Sequence, residues 1–553
     1  MKKGKILFGL VIPVLSGCSC SMIDALFGET FSWSNYKNNE IAMSLESKKF
    51  KNFKFENYSD LESKQENLRQ IVVQKGNYSK FVSAYNEMNS IYVNLIDSYI
   101  ISSTKYYADN SSENQSRAAD YYAKYLSLNK FLVSLETDIY NSSAEIKKAY
   151  FGNLTDAEIE KRLQENQLTS LGSDYEKIFS DYKDEGQKLY QKYQKDKNKV
   201  TYLDTGYDYL LRYVNKANEL VDQLPSYNNY LEYSYDNDYK RDYKYTDTDP
   251  FVNYVKSYLV PIRKRKSEIQ KPTNIDSTLF QVISFYNFCN RGSDMSEVFT
   301  SYADAMGGRY LNCYNNAFRY GYYCFSNSSN SMGTAFEWNL NGEQDAVLFF
   351  SRQYQDVLSI THEFGHYYSC IQGDGARRGD AYDLQETYSQ GNEFTFCKYL
   401  LEQKQNDANA ATYNYFVDDK IYDSIGQIIN EAAITEIEKF AFTTPNLTKQ
   451  SLIDGVNAIL ASYDGTASDV YFMGPCLTSP CYYVSYATSL IEALQFAAMP
   501  TFEEAKEKYT KLVEASGALT MVQRWENAGL TSPFDERTFQ TLANLFTSVA
   551  NKY

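Results

Sequence analysis

Apolar residues recur through the first half of the chain at spacings of three and four. Phe81, Tyr85, Met88, Tyr92, Leu95 and Tyr99 form one series, and Tyr121, Tyr125, Leu128, Leu132, Leu135 and Ile139 another. Such spacing gathers side chains on one face of a helix. Tyr175, Ile178, Phe179 and Tyr182, then Leu189, Tyr190 and Tyr193, continue the pattern in a stretch rich in Lys and Glu. The stripes predict packing within a helical lobe. A partner-binding coiled coil would need heptads sustained over one long segment, and these are not. A Tyr-, Asn- and Asp-rich stretch around 226–249 reads as a connector. Between 319 and 350 the pattern changes. Tyr322 to Phe325, Ala335 to Trp338 and Ala346 to Phe350 are short aromatic or apolar runs separated by Ser, Asn and Gly, which predicts a small sheet. Helical patterning then returns and runs to the C-terminus. No repeat of solenoid length is present.

The first residues follow a different logic. Lys2, Lys3 and Lys5 precede an apolar run from Ile6 to Leu15, too short to span a bilayer as a helix. The run ends in Leu15-Ser16-Gly17-Cys18, which resembles a bacterial lipobox. Residues 1–17 are therefore expected to be a lipoprotein signal peptide, Cys18 the lipidated residue and 18–45 a polar tether. Two acyl chains on Cys18 would suffice for stable anchoring. The expected location is the outward face of a bacterial cell membrane.

Composition narrows the classes. The chain has 553 residues, with 43% apolar and 23% charged, ordinary globular values. Gly (26) and Pro (10) are scarce, which disfavours an all-β protein with many hairpins and favours long helices. The net charge of −15, without a dense basic block, disfavours nucleic acid as a partner. Of nine cysteines, seven follow residue 20 and are spread widely, not a disulfide-scaffold pattern in a chain this large. Cys476 and Cys481 are the closest pair in the folded body, open to pairing or to burial as free thiols.

Histidine is the decisive count, because the chain has only two. Both fall in Thr361-His362-Glu363-Phe364-Gly365-His366, an HExxH pattern. On a helix, positions i and i+4 share a face, so His362 and His366 can reach one metal ion. Glu363 sits where it could handle a metal-bound water. A catalytic zinc takes three protein ligands and a water. With no histidine left, the third ligand is a carboxylate or a thiolate, and the HExxHxxGxxH arrangement is excluded. Glu386 is the leading candidate, 20 residues past His366, which leaves room for a helix, a turn around Gly373 to Asp380 and a second helix. Asp380, Asp383 and Cys370 are the alternatives. Glu393, two turns beyond Glu386, is placed to accept the free ring N–H of a ligating histidine.

These segments together resemble the thimet oligopeptidase and oligoendopeptidase F family of zinc peptidases. HEFGH is followed by Glu386 in Glu-Thr-Tyr-Ser-Gln-Gly-Asn-Glu, Val347 to Phe350 leads through Asp356 to Thr361 into the motif, and Tyr482-Tyr483-Val484-Ser485-Tyr486-Ala487-Thr488 matches a tyrosine-rich segment ending in Tyr-Ala-Thr. The match covers about residues 320–500. The resemblance implies a mainly α, two-lobed helical fold with a deep substrate channel and a small β-sheet beside the active site. It implies an N-terminal helical lobe at 46–230 and a catalytic domain at 231–553. It implies one Zn2+ per chain on His362, His366 and Glu386, with Glu363 as general base, and short peptides as substrates. Tyr486 is the closest match to the residue that stabilises the oxyanion, with Tyr483 and Tyr482 as alternatives. One departure stands out. The family usually carries a histidine and a further tyrosine shortly before this segment, where the chain has Gly474-Pro475-Cys476-Leu477-Thr478-Ser479-Pro480.

The expected function is therefore a zinc-dependent endopeptidase acting on short peptides at the outer membrane face through a zinc-activated water. The departure near 474 supports one alternative, a peptide-binding lipoprotein that retains the zinc site with weak or no turnover. A helical surface adhesin would have no need of HExxH.

Overall fold

The stripe that begins at Phe81 is the buried face of a 32-residue helix. α1 (Leu61–Val73), α2 (Tyr78–Asp109) and α3 (Ser112–Tyr140) pack together in the computed structural model of the chain. Phe81, Met88 and Leu95 of α2 meet Leu128, Leu132, Leu135 and Ile139 of α3 and Leu68 and Val72 of α1. The Asn77 side chain caps the start of α2. At its end Asn110 adopts the left-handed conformation (φ 53°), which Asn tolerates, and Ser111 caps α3 directly afterwards. Tyr92 and Tyr125 join the packing with their rings and hydrogen-bond each other at the tips, 3.3 Å apart.

The structure describes residues 45–552, apart from 161, 164–181, 183–184, 187, 194, 223–225, 266–271, 286–293, 341–344 and 373–379. The expected signal peptide with Cys18, residues 373–379 of the expected turn, and Tyr175, Ile178 and Phe179 lie outside them. The chain divides into two units, Ser44–Lys177 with Asn315–Arg352, and Ile178–Tyr314 with Gln353–Tyr553.

The first unit holds α1 to α3 and the sheet. β1 (Tyr322–Phe325), β2 (Ala335–Leu340) and β3 (Asp345–Phe350) stand in the order β1-β3-β2. β3 pairs in parallel with β1, Tyr322 opposite Val347, and antiparallel with β2, Ala335 opposite Phe350. A central strand buried on both faces reads as an unbroken apolar run, which is why Ala346 to Phe350 lacks alternation.

In the second unit the helices that matter are α4 (Val357–Gln372), α5 (Tyr382–Lys404), α6 (Ala410–Thr443), α7 (Val484–Ala498) and α8 (Phe502–Val513). From Asp383 to Leu400, α5 is buried on every side although it is rich in Asp, Glu, Gln, Asn, Ser and Thr. Each such side chain must therefore find a partner. Asn392 shows how: its Nδ2 donates to the Thr361 carbonyl of α4 at 2.7 Å, and its Oδ1 accepts from Tyr302 and Tyr310 at 2.8 and 3.0 Å.

The stretch at 226–249 is not the connector its composition suggests. It forms short helical turns, and Tyr230, Tyr235, Tyr239, Tyr243 and Arg241 are buried. The phenols bury their rings because their tips have partners: Tyr230 donates to Asp238, Tyr239 to the Pro480 carbonyl and Tyr243 to Asp383. Among the described residues, no helix is long and apolar enough to cross a membrane.

Candidate metal centre

Helical spacing puts His362 and His366 on one face of α4, with ring centroids 5.0 Å apart. That face meets α5. Gly365, between the two histidines, has no side chain, and α5 comes close enough that a Cβ there would lie 2.7 Å from Ser389 Cα. This approach brings Glu386 of α5 to the imidazoles. Its Oε2 lies 3.5 Å from His362 Nε2 and 3.8 Å from His366 Nε2. Among the described residues, these three make the one cluster able to hold a metal ion, with donor atoms within 4.8 Å of one another.

The spacing suits an ion. Two metal–ligand bonds of about 2.0–2.1 Å at a tetrahedral angle put donor atoms about 3.3–3.4 Å apart. The chemistry suits one too. His362 Nε2 is buried and makes no hydrogen bond, an arrangement unfavourable unless something else engages the atom. His362 Nδ1 is 2.8 Å from Glu393 Oε1. An N–H donated there leaves the Nε2 lone pair directed at the cluster. Lys420 in turn sits 2.8 Å from Glu393 Oε2. Glu393 thus takes the position behind His362 that its spacing suggests.

The electrostatics agree. Burial works against a charged His362, yet Glu386 and Glu393 outweigh it and raise its pKa. Burial prevails at His366 and lowers its pKa. Burial would raise the Glu386 pKa, but the two imidazoles and Tyr482 hold it below its ordinary value. Burial opposes ionisation of Glu393 as well, and Lys420 and His362 overcome it, lowering the pKa to about 2. The pull that these carboxylates exert on a proton is the pull they would exert on a metal cation. Glu363, next to His362, is fully buried and acts on the same ring.

The other candidate ligands are engaged elsewhere. Asp383 takes Arg241 Nε and Ser485 on one oxygen and Tyr243 and Thr488 on the other. Its ion pair with Arg241, at 3.1 Å, is wholly buried on both sides. Asp380 accepts from Arg524 at 2.6 Å and from Tyr388 at 3.2 Å. Cys370 is outside the metal-ligand cluster. Cys476 and Cys481 are buried free thiols.

The tyrosines separate by environment. Tyr482 donates its hydroxyl to Glu386 Oε1 at 2.6 Å. The Tyr486 ring packs against it, centroids 5.1 Å apart, and is buried. The Tyr483 phenol, raised above its ordinary pKa by burial, feels Glu431 and Glu438 rather than Glu386. A polar seam joins α5 to α7: Asp383 with Ser485 and Thr488, Glu386 with Tyr482 just before α7, and Gln390 with Ser489. Arg241, Tyr239, Tyr243 and Glu438 belong to this construction, and the sequence carries no local signal of that role. Their partners lie more than 40 residues away, where no local spacing could reveal them.

No protein-family model matches the chain, and no curated protein matches it in sequence. Solved structures do. A structure of PZ peptidase A with inhibitor 2 superposes with a TM-score of 0.62 at 16% identity, covering 91% of this chain and 99% of the other. A Bacillus anthracis protein assigned as an oligoendopeptidase F gives 0.61 at 15% identity, covering 93% and 99%. An oligoendopeptidase F from Enterococcus faecium gives 0.51 at 15% identity, covering 89% and 98%. The chain has the fold of these peptidases, helical with a small three-stranded sheet, as the resemblance of its motifs implies.

Proposed function

We propose that this chain is a zinc-dependent oligoendopeptidase that hydrolyses short peptides. The observation that carries the reading is the cluster of His362 Nε2, His366 Nε2 and Glu386 Oε2, with Glu393 behind His362 fixing the ring that faces it. The peptidase names of the structures sharing the fold support it.

His362, His366 and Glu386 would hold the metal. When bound, zinc would supply Lewis-acid chemistry, making water more acidic and polarising a carbonyl. Glu363 accepts the water proton and passes it to the leaving amine. Tyr486 donates a hydrogen bond to the developing oxyanion, a role worth about 3–4 kcal/mol when one donor is lost. Neither histidine is left to activate a serine or cysteine nucleophile, so direct attack by water is the route these residues serve.

The test is cleavage of an internally quenched peptide of about ten residues by the purified protein, with and without zinc and with a chelator. Zinc-dependent cleavage supports the reading. Peptide and zinc binding without turnover would favour the binding-lipoprotein alternative. Location belongs to the same proposal: the enzyme is lipid-anchored through Cys18 and faces outward. Cys18→Ser should move it from the membrane to the soluble fraction. Unchanged partitioning would refute the anchor.

A further inference from the structure

Tyr482 falls in the segment from which the oxyanion donor is drawn, yet its hydroxyl is committed to the carboxylate of Glu386. The two oxygens of that carboxylate divide their work: Oε2 faces His362 and His366, with a long contact from Ser389 Oγ at 3.4 Å, and Oε1 accepts from Tyr482 at 2.6 Å. The phenol ring cannot easily turn away. Tyr239, Tyr382 and Tyr486 pack around it at centroid distances of 5.7, 5.8 and 5.1 Å.

The backbone that delivers Tyr482 is held at successive residues. Cys481 adopts φ 63°, a left-handed conformation that a residue with a side chain rarely takes. Its N–H donates to Glu438 Oε1 at 2.7 Å, and its carbonyl accepts from Arg241 Nη2 at 2.9 Å. The preceding carbonyl, of Pro480, accepts from Tyr239 at 2.7 Å. Arg241 reaches onward to Ser485 Oγ at 2.7 Å while its Nε pairs with Asp383, one turn before Glu386 on α5. The carboxylate and the phenol that meets it are thus fixed to a common guanidinium.

We infer that Tyr482 is a positioning residue for the metal ligand Glu386, and that Glu438 and Arg241, by clamping Cys481, hold Tyr482 in that role. The inference rests on the zinc-site reading above. A hydroxyl on Oε1 leaves Oε2 as the coordinating oxygen and fixes the carboxylate plane. Loss of such an outer contact to a metal ligand typically lowers metal affinity or activity 10–100-fold.

The experiment is a zinc titration against a fluorescent chelator, run beside kcat and KM for a quenched peptide, on the full chain. Tyr482→Phe removes only the hydroxyl. Its zinc affinity should fall at least 10-fold, and excess zinc should return kcat to within a few-fold of the parent. Glu438→Gln keeps an acceptor for the Cys481 N–H and should retain parental affinity. Glu438→Leu removes it and should lower affinity. The double variant Tyr482→Phe/Glu438→Leu should bind zinc no more weakly than Tyr482→Phe, because both changes act through one hydrogen bond. If Tyr482→Phe binds zinc like the parent but loses kcat that zinc cannot restore, Tyr482 touches the reacting atoms, and the inference is overturned while the zinc-peptidase reading stands. A parent that binds no zinc overturns both. A parent that binds zinc and cleaves nothing overturns the peptidase reading, and the affinity comparison still decides for or against Tyr482.

Discussion

Gly365 lies against Ser389 so closely that a Cβ on the glycine would come within 2.7 Å of the serine Cα and 2.8 Å of the Tyr388 carbonyl oxygen. Both obstacles are backbone, so they cannot rotate aside. The helix that carries the two histidines and the helix that carries Glu386 can approach to this distance only with glycine between His362 and His366. Gly365→Ala gains roughly 0.5–1 kcal/mol in helix propensity. It loses about 1–3 kcal/mol to overpacking, which should win. The variant should melt at a lower temperature and bind zinc more weakly, because parting α4 from α5 also parts the ligands. Thermal unfolding of the metal-free protein and a zinc titration check the two effects separately. A variant as stable as the parent with unchanged affinity would show that the helices have room to spare.

Much of this site was legible because HExxH states its geometry locally. Four residues along a helix is one face, so His362 and His366 were paired by spacing alone. The strands were legible for a similar reason, each being a short apolar run. Glu386 was harder. Asp380, Asp383, Glu386 and Cys370 are all near enough in sequence, and only the crossing of α4 with α5 separates them. In the fold, Arg241 engages Asp383 and Arg524 engages Asp380, which leaves Glu386 facing the imidazoles. The sequence predicts α5 as a helix but not the burial of its polar residues, because their partners stand on several other elements. Residues 226–249 misled for a related reason. Tyrosines interleaved with Asp and Asn look solvated until each phenol is seen to have a partner.

The metal itself is the simplest test. The native protein should carry one zinc per chain, measured by elemental analysis. His362→Ala or His366→Ala should abolish it, since two remaining protein ligands do not make a catalytic site. Native protein that stays free of zinc after incubation with the metal would refute the assignment.

Glu438 offers a pH test with a definite sign. Burial raises its pKa to about 8, against the opposing pull of the Cys481 N–H, Arg241 and Cys476. Between the ordinary carboxylate pKa and pH 8, the folded chain holds a proton that the unfolded chain has released. Stability from this group therefore declines as pH rises through that window and levels off above it. One proton gives a slope of about 1.4 kcal/mol per pH unit. Glu438→Gln cannot titrate, so its stability advantage over the parent should grow from pH 5 to pH 8. Urea unfolding at three pH values reads it. Parallel profiles for the two proteins would mean that Glu438 ionises normally in the fold.

Glu363 and Glu386 are both buried, Glu386 within the cluster and Glu363 next to its His362, and their roles predict opposite responses to zinc. Glu363→Gln preserves the side-chain shape and removes the base. Zinc should remain bound at one per chain, while kcat falls by about 10²-fold or more, the scale of general-base loss. Glu386→Gln exchanges an anionic ligand for a weak neutral one. It also leaves Tyr482 facing an amide instead of a carboxylate oxygen. Metal affinity should fall first, and activity with it. Raising free zinc should therefore restore part of the activity of the Glu386 variant and none of that of the Glu363 variant. Zinc content and peptidase rate across one titration distinguish them. Full zinc occupancy of Glu386→Gln at stoichiometric metal would mean that another residue completes the site. Parental activity in Glu363→Gln would exclude the proton transfer on which the proposed hydrolysis depends, whatever the metal does.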